Sequence, residues 1–180
     1  MKKITLILAL VLSASAIPVT YAGTSNQSKV ENAFSPEGGA EQLVLKAIDA
    51  AHSSIRLAAY SFTSPVIVRG LLDAKKRGVD VRVVVDDRGN RAKAGQAALN
   101  LLVNAGIPAR TISTYTIHHD KYIVVDDRNV ETGSFNFSKA AAKSNSENVI
   151  VVWNDPDLAA SYLKHWKNRF EQGIDHASTY

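Results

Sequence analysis

The segment that begins at His118 and reads HHDKYIVVDD combines two histidines, one lysine and three aspartates with a run of strand-forming residues. In an extended chain, successive side chains point to opposite faces. We therefore expect His119 and Lys121 to share one face, with His118 and Asp120 on the other. An imidazole beside a permanent cation is suited to nucleophilic or acid chemistry.

A metal site and a solvated charge cluster are the other interpretations of this segment. Histidine and aspartate are common metal ligands, but the ammonium group of Lys121 would repel a divalent cation, and His118 diverges from His119. A charge cluster does not explain why these residues border the apolar run 122–125, which is typical of a strand covered on both faces. The pattern favours a catalytic strand without a metal ion.

A second polar segment, ETGSFNF, covers residues 131–137. Ser134 and Asn136 share a face by the same alternation, and Gly133 lets a backbone or a ligand come close. A hydroxyl and an amide are neutral donors for phosphate oxygens, and they complement the charge of Lys121. Taken alone, this segment is better explained as a turn leading into a helix at Ser138-Lys139-Ala140.

Glu147 lies at the start of the last apolar run, after a short polar stretch. A carboxylate in that position can hold the second nitrogen of a histidine, which fixes the tautomer and raises the nucleophilicity of the ring. We therefore include it among the candidate catalytic residues.

The elements that must position these residues alternate between strands and helices. Apolar runs predict the strands, and a polar cap followed by proline marks three helix starts, at Ser35, Ser64 and Asp155. The alternation predicts a single α/β domain, a layered α/β/α sandwich around a mixed, largely buried β-sheet. The predicted strands are 29–34, 54–60, 79–85, 107–112, 122–125 and 148–152, and the predicted helices are 36–52, 64–77, 92–104 and the stretch from 156 onward.

The composition agrees with one compact domain, because 46% of the 180 residues are hydrophobic and 21% are charged. The chain has no cysteine, which excludes a disulfide framework and a thiolate nucleophile. Stability must therefore come from the core.

Residues 1–22 predict a secretory signal peptide. Two lysines precede an apolar run from Ile4 to Leu12 and a small-residue end. The alternative, a permanent membrane anchor, is disfavoured because the run is too short. We expect a mature domain of residues 23–180, exported to the periplasm or secreted, without stable membrane insertion. Without the two leader lysines, 19 basic residues face 17 acidic ones, a net charge of 19 − 17 = +2.

The order of the candidate residues resembles the signature of the phospholipase D superfamily. The chain from about Lys29 onward further resembles its small exported bacterial members, the Nuc-type endonucleases. An H-x-K triplet alone is a weak signal, since His165-Trp166-Lys167 also fits it on a predicted helix and lacks the later elements; we interpret that copy as surface and core-edge structure. The signature here is His119-x-Lys121, Asp126, Gly133-Ser134-x-Asn136 and Glu147.

The resemblance implies a metal-independent phosphodiesterase that needs no cofactor. Its substrate would be DNA, with RNA as a second candidate, cleaved without sequence preference through a phosphohistidine on His119. Larger members of the superfamily carry two copies of the motif and this chain carries one. A homodimer with the active site at its interface would supply the second histidine, as acid for the leaving oxygen.

The resemblance also implies a role for each motif residue. Lys121, Ser134 and Asn136 would hold the phosphate oxygens, and Glu147 would orient His119. The remaining motif residues, Gly133 and Asp126, would support the site, with a salt bridge or a turn hydrogen bond as the alternative for Asp126.

Two other functions remain open. A phospholipase D that removes phospholipid headgroups would use the same chemistry in a different groove. No strongly amphipathic or aromatic-rich segment suited to a bilayer follows the leader, which disfavours this alternative. A nucleic-acid-binding protein without catalysis is the second. In either nucleic-acid case, we expect contacts directed at phosphates and indifferent to sequence.

Overall fold

The computed structural model describes residues 28–178, which form one β-sheet with helices on both faces. The predicted signal peptide lies outside the described residues. The strands are β1 (Lys29–Ser35), β2 (Ser54–Ala59), β3 (Asp80–Asp86), β4 (Ala109–Ile112), β5 (Lys121–Val125), β6 (Asn129–Gly133), β7 (Glu147–Trp153) and β8 (Ile174–Asp175). The helices are α1 (Ala40–Asp49), α2 (Pro65–Lys76), α3 (Lys93–Asn104), α4 (Lys139–Lys143) and α5 (Pro156–Gln172), and a short 3-10 helix covers Arg88–Asn90.

The sheet is mixed and lies between two helical layers. Its strand order is β1-β7-β6-β5-β2-β3-β4-β8, in which β3 is parallel to β2 and β4 and the other neighbours are antiparallel. Helices α1 to α4 pack on one face, in a core that includes Val44, Leu71 and Leu99. Helix α5 packs on the other face through Ala159 and Trp166. The predicted α/β/α layering around a mixed, largely buried sheet is confirmed.

Two of the three predicted helix caps form. The Ser64 side chain accepts a hydrogen bond from the backbone N–H of Ile67 at the start of α2. The Asp155 side chain accepts one from Leu158 at the start of α5. In both cases the following proline occupies the first helical turn, where its missing N–H costs no hydrogen bond.

The third predicted cap is wrong. Ser35 is the last residue of β1, where it is buried and pairs with Glu147 of β7. A residue committed to the sheet cannot cap a helix, and α1 instead begins at Ala40, after Gly39 in the left-handed region at φ 81°. The observed helix α1, Ala40–Asp49, is therefore shorter at both ends than the predicted helix 36–52.

Two strands, β6 and β8, are absent from the sequence-based assignment. The β6 sequence, NVETG, contains a carboxylate and a glycine, so its composition does not indicate a strand. Its place between β5 and β7 supplies partners on both edges, and Glu131 at its centre is 1% exposed. The two-residue β8 forms only by pairing with β4, and it is the last strand at that side of the sheet.

The strand register brings the candidate residues to one edge of the sheet, where β2 and β6 end and β5 and β7 begin. Lys121 at the start of β5 pairs with Ala59 at the end of β2. Gly133 at the end of β6 pairs with Val149, two residues after Glu147 at the start of β7. The polar segments before β5, after β6 and before β7 therefore converge at the same edge.

Candidate active site

Tyr60, which follows β2, joins the two residues of the H-x-K pair. Its ring centroid lies 4.8 Å from that of His119. The Nζ atom of Lys121 lies 5.4 Å from the Tyr60 ring centroid and donates a 3.0 Å hydrogen bond to the backbone carbonyl of His119. The exposed imidazole of His119 and the ammonium group of Lys121 thus both lie against the ring of Tyr60.

Lys121 supplies a mostly buried positive charge, since the residue is 8% exposed. Burial lowers the pKa of its ammonium group, and the nearby carboxylates of Glu147 and Asp120 partly oppose that change. A cation with little surrounding water interacts more strongly with an anion than a cation in bulk solvent does. The site is therefore electrostatically suited to a phosphate group.

Ser134 and Glu147 are hydrogen-bonded to each other. The Ser134 hydroxyl donates to Oε2 of Glu147 at 2.6 Å, and the Asn145 amide donates to Oε1 at 2.9 Å. The backbone N–H of Asn148 donates to the Ser134 oxygen at 3.1 Å. Within residues 28–178, the Glu147 carboxylate thus bonds to Ser134 and Asn145 rather than to His119, and its predicted role in orienting that ring remains a prediction.

Gly133 and Asn136 lie on either side of Ser134. A Cβ atom on Gly133 would stand 2.2 Å from the carbonyl oxygen of Asn148, so this close approach of two backbones requires glycine. Asn136 is half-buried, and its side-chain oxygen is buried without a hydrogen-bond partner. The segment is thus held against β7, with the Ser134 side chain exposed.

Asp126 lies at the opposite end of β5 from the other motif residues. Its carboxylate accepts hydrogen bonds from the backbone N–H groups of His52, Ser53 and Ser54 at 2.7 to 2.9 Å, and from the Ser53 hydroxyl. These bonds close the loop between α1 and β2. The alternative roles for Asp126 were a salt bridge or a turn hydrogen bond, and the structure contains the turn hydrogen bonds.

A second polar cluster occupies the other side of the motif strand. The backbone N–H of His118 donates to Oδ2 of Asp86 at 2.8 Å, and its Nδ1 lies 3.3 Å from Oδ2 of Asp120. Burial lowers the pKa of His118, although the carboxylates of Asp120 and Asp86 oppose this. As the alternation predicted, His118 does not join His119.

The second H-x-K triplet lies on α5, as predicted. Trp166 is buried, and its indole N–H donates to the Leu57 carbonyl at 2.9 Å, so the middle residue belongs to the core. His165, however, lines a cavity together with His119 and Lys121. Sequence reasoning missed this placement, because nothing local marks which helix face meets the motif strand.

No group of three or more histidine, aspartate or glutamate side chains within residues 28–178 is placed to hold a metal ion. Over the same stretch, no helix combines the length and the apolar character that crossing a membrane requires.

Residues 44–172 match the family described as cardiolipin synthase, PLD-like domain. The phospholipase D of Rickettsia conorii is 38% identical over 160 residues, which cover 88% of this chain and 78% of that protein. The mitochondrial cardiolipin hydrolase of Homo sapiens is 33% identical over 129 residues, which cover 72% of this chain and 50% of that protein.

Two solved structures share the fold over most of the chain. Nuc from Salmonella typhimurium, described as a phospholipase D family member, superposes with a TM-score of 0.83 at 56% identity and covers 84% of this chain and 100% of its own. NucT from Helicobacter pylori superposes with a TM-score of 0.70 at 20% identity and covers 83% of this chain and 100% of its own.

Proposed function

Because the chain belongs to the phospholipase D superfamily, we propose that it is a metal-independent phosphodiesterase that cleaves DNA as a non-specific endonuclease, with RNA as a second candidate substrate. The observation that carries this proposal is the His119 imidazole, exposed and held beside the buried ammonium group of Lys121 on the ring of Tyr60.

The reaction proceeds in two steps. A ring nitrogen of His119 forms a bond to phosphorus while the bond to the leaving alcohol oxygen breaks, and that oxygen takes a proton from His119 of the partner subunit. Water then attacks phosphorus, the phosphorus–nitrogen bond breaks, and the partner imidazole takes the proton of the water. The products are an alcohol and a phosphate monoester.

Charge that develops on the phosphate oxygens is stabilised by groups already fixed at the site. Lys121 contributes its ammonium group, and Asn136 contributes a neutral donor. The single proton of the Ser134 hydroxyl is donated to Glu147 at 2.6 Å without substrate, so Ser134 becomes a donor to phosphate when the substrate turns that proton away from the carboxylate. Glu147 then accepts from the imidazole of His119 in the assembled site.

The proposal requires a homodimer, because one His119 cannot stand on both sides of phosphorus. A surface on β1, formed by Val30 and Phe34, supports this requirement, since these side chains are 55% and 57% exposed. Exposed apolar patches of this kind often mark interfaces. Phe34 pairs with Asn148 and Ser35 pairs with Glu147, so this β1 surface continues directly into the site.

DNA is favoured over a phospholipid by two observations. The identity to Nuc, 56%, is higher than the 38% identity to the phospholipase D of Rickettsia conorii. The exposed cations Arg88 and Lys93 follow β3 at the edge that carries the site, where Asn90 anchors the turn by donating to the Tyr60 carbonyl at 2.7 Å. Such cations can bind phosphates that flank the scissile one.

Plasmid cleavage in excess chelator tests the reaction. We expect wild type to cleave, His119→Asn to lose nearly all activity and His52→Asn, an exposed histidine at the far edge, to remain active. Loss of wild-type cleavage on chelation contradicts the metal-free mechanism. Faster hydrolysis of phosphatidylcholine vesicles than of plasmid assigns the lipid function, and binding of DNA with no hydrolysis assigns the non-catalytic one.

Sedimentation tests the assembly. Phe34→Glu places a charge on the β1 surface and should dissociate the dimer and abolish cleavage. Leu101→Glu places the same charge on α3, on a residue that is 48% exposed, and should do neither. A fully active monomer contradicts the shared site.

Export follows from the predicted signal peptide. The mature protein, recovered from the periplasm or the medium, should begin at Gly23. A product that retains residues 1–22 contradicts the predicted cleavage.

A further inference from the structure

His165 lines the same cavity as His119, yet no step of the proposed reaction uses it. The cavity measures about 420 Å³ and lies between the start of β5, the end of β6 and α5. His119 and Lys121 form one part of its wall, and Ser161, Tyr162 and His165 of α5 form another. A ligand in this cavity is therefore in contact with the reacting groups.

The Tyr122 hydroxyl fixes the ring of His165. Nδ1 of His165 lies 2.9 Å from this hydroxyl and 3.7 Å from Oδ2 of Asp120. Burial raises the pKa of Tyr122, and the Asp120 carboxylate adds to the effect, so the hydroxyl keeps its proton. Because Nδ1 is committed to Tyr122, Nε2 is the ring nitrogen left for a ligand, and the side chain is 39% exposed.

The remaining wall combines an aromatic ring with hydroxyl groups. The Tyr162 ring meets the Tyr122 ring edge to face at 4.9 Å between centroids, so the buried tyrosine supports two wall residues at once. Thr132 and Ser161 add hydroxyl groups, and Oγ1 of Thr132 donates to the Lys121 carbonyl at 3.2 Å.

This lining matches a nucleoside better than an acyl chain. A base offers a flat face that stacks on aromatic rings, and its sugar offers hydroxyls and ring oxygens for hydrogen bonds. An acyl chain requires a long apolar channel, whereas this wall mixes imidazole, phenol and hydroxyl groups.

We propose that the cavity is a subsite for the nucleoside attached to the scissile phosphate. Tyr162 and the ring of His165 form its stacking surface, and Nε2 of His165 is its polar anchor. This inference rests on the proposed function, and it adds that part of the substrate affinity comes from one nucleoside rather than from phosphate charge alone. Stacking accepts any base, which agrees with cleavage without sequence preference.

Chromogenic diesters separate the subsite from the chemistry. Methyl p-nitrophenyl phosphate carries no nucleoside and no second aromatic ring, while the two p-nitrophenyl esters of thymidine monophosphate carry a nucleoside through the primary or the secondary hydroxyl. We expect wild type to prefer one nucleoside ester over the ester without a nucleoside by about tenfold in kcat/KM. This factor lies within the range that stacking of one base provides. His165→Ala should lose most of this preference through a higher KM, with unchanged hydrolysis of methyl p-nitrophenyl phosphate.

Two further variants complete the design. His52→Ala removes an exposed histidine distant from the cavity and should leave all three rates unchanged. His165→Gln keeps a hydrogen-bonding group at similar reach and should restore part of the preference. Unchanged hydrolysis of methyl p-nitrophenyl phosphate shows in the same assay that the His165 variants are folded.

Three outcomes overturn the subsite. The first is a wild type without preference for either nucleoside ester, and the second is an equal loss on all substrates in His165→Ala. The third is a preference for p-nitrophenyl phosphocholine over the nucleoside esters, which assigns the cavity to a lipid headgroup. Failure of wild type to hydrolyse any diester instead overturns the proposed function, and the subsite with it.

Discussion

The rings of Tyr60 and His119 lie 4.8 Å apart between centroids and are tilted by 52°. Tyr60 belongs to no motif, yet it contacts both members of the H-x-K pair. Its own backbone is fixed, because its carbonyl accepts a hydrogen bond from Asn90, whose side chain is fully buried. Tyr60 is therefore a positioning residue for the candidate nucleophile.

Replacing Tyr60 tests this role. Tyr60→Leu should lower kcat roughly tenfold, since a cation–π contact contributes about 0.5–2 kcal/mol and the imidazole also loses its support. Tyr60→Phe keeps the ring and should retain most of the activity with little change in KM. Steady-state cleavage of a labelled oligonucleotide measures both variants. An equal loss in the two variants would show that the hydroxyl matters rather than the ring.

The protonation of Lys121 can be followed directly by NMR titration of its side chain. Burial disfavours the charged form, so the ammonium group loses its proton below its ordinary pKa of 10.5. The Asp120 carboxylate raises the same pKa, so Asp120→Asn should move the Lys121 titration to lower pH. Asp127→Asn, at an exposed carboxylate beyond the far end of β5, is the matched control. A Lys121 titration that stays in place or moves to higher pH in Asp120→Asn contradicts this expectation.

Asp126 should matter for stability rather than for chemistry. Asp126→Ala removes the acceptor of the backbone hydrogen bonds from His52, Ser53 and Ser54, and should lower the free energy of unfolding by about 2 kcal/mol at neutral pH. Activity per folded molecule should persist, because the carboxylate lies at the opposite end of β5 from His119.

The loss of stability in Asp126→Ala should depend on pH. Burial raises the pKa of Asp126, but the hydrogen bonds outweigh burial, and the net pKa is lowered from 3.8. The stabilisation is therefore complete above 3.8 and is lost as pH falls through the lower folded value. Urea unfolding of wild type and Asp126→Ala should give free energies that converge in acid. A difference that stays constant with pH would contradict a charge-dependent role.

Glu131 should make stability change with pH in the opposite direction. Its carboxyl is 1% exposed in the core, Oε2 has no hydrogen-bond partner, and burial raises its pKa well above 4.5. The free energy of unfolding should therefore fall as pH rises above 4.5, by about 1.4 kcal/mol per pH unit up to the folded pKa. Glu131→Gln keeps the shape without the charge, so its advantage in urea unfolding over wild type should grow from acid to neutral pH. Parallel stability curves would show that Glu131 is charged in the folded protein.

The sequence predicted the features that depend on local pattern. Alternation along an extended strand separated His119 and Lys121 from His118, and apolar runs with polar caps located most strands and three of the helices near their observed bounds. The order of the motif residues also resembles the signature of the phospholipase D superfamily, and the family match over residues 44–172 and the similarity to Nuc confirm that prediction. These features follow from neighbours in the chain, so they can be read without a structure.

Contacts between distant segments were decided only by the tertiary structure. Pairing on both edges makes a strand of the polar segment β6, and pairing with β7 holds Ser35 in the sheet rather than at a helix start. The same sheet brings Tyr60 to His119 and places His165 of α5 against Tyr122 of β5. No local period encodes such encounters, because they depend on which strands are neighbours and on which helix covers them. The sequence by itself thus determined the candidate pair His119 and Lys121 and the layered fold, because both follow from local pattern, and packing determined the residues that surround that pair.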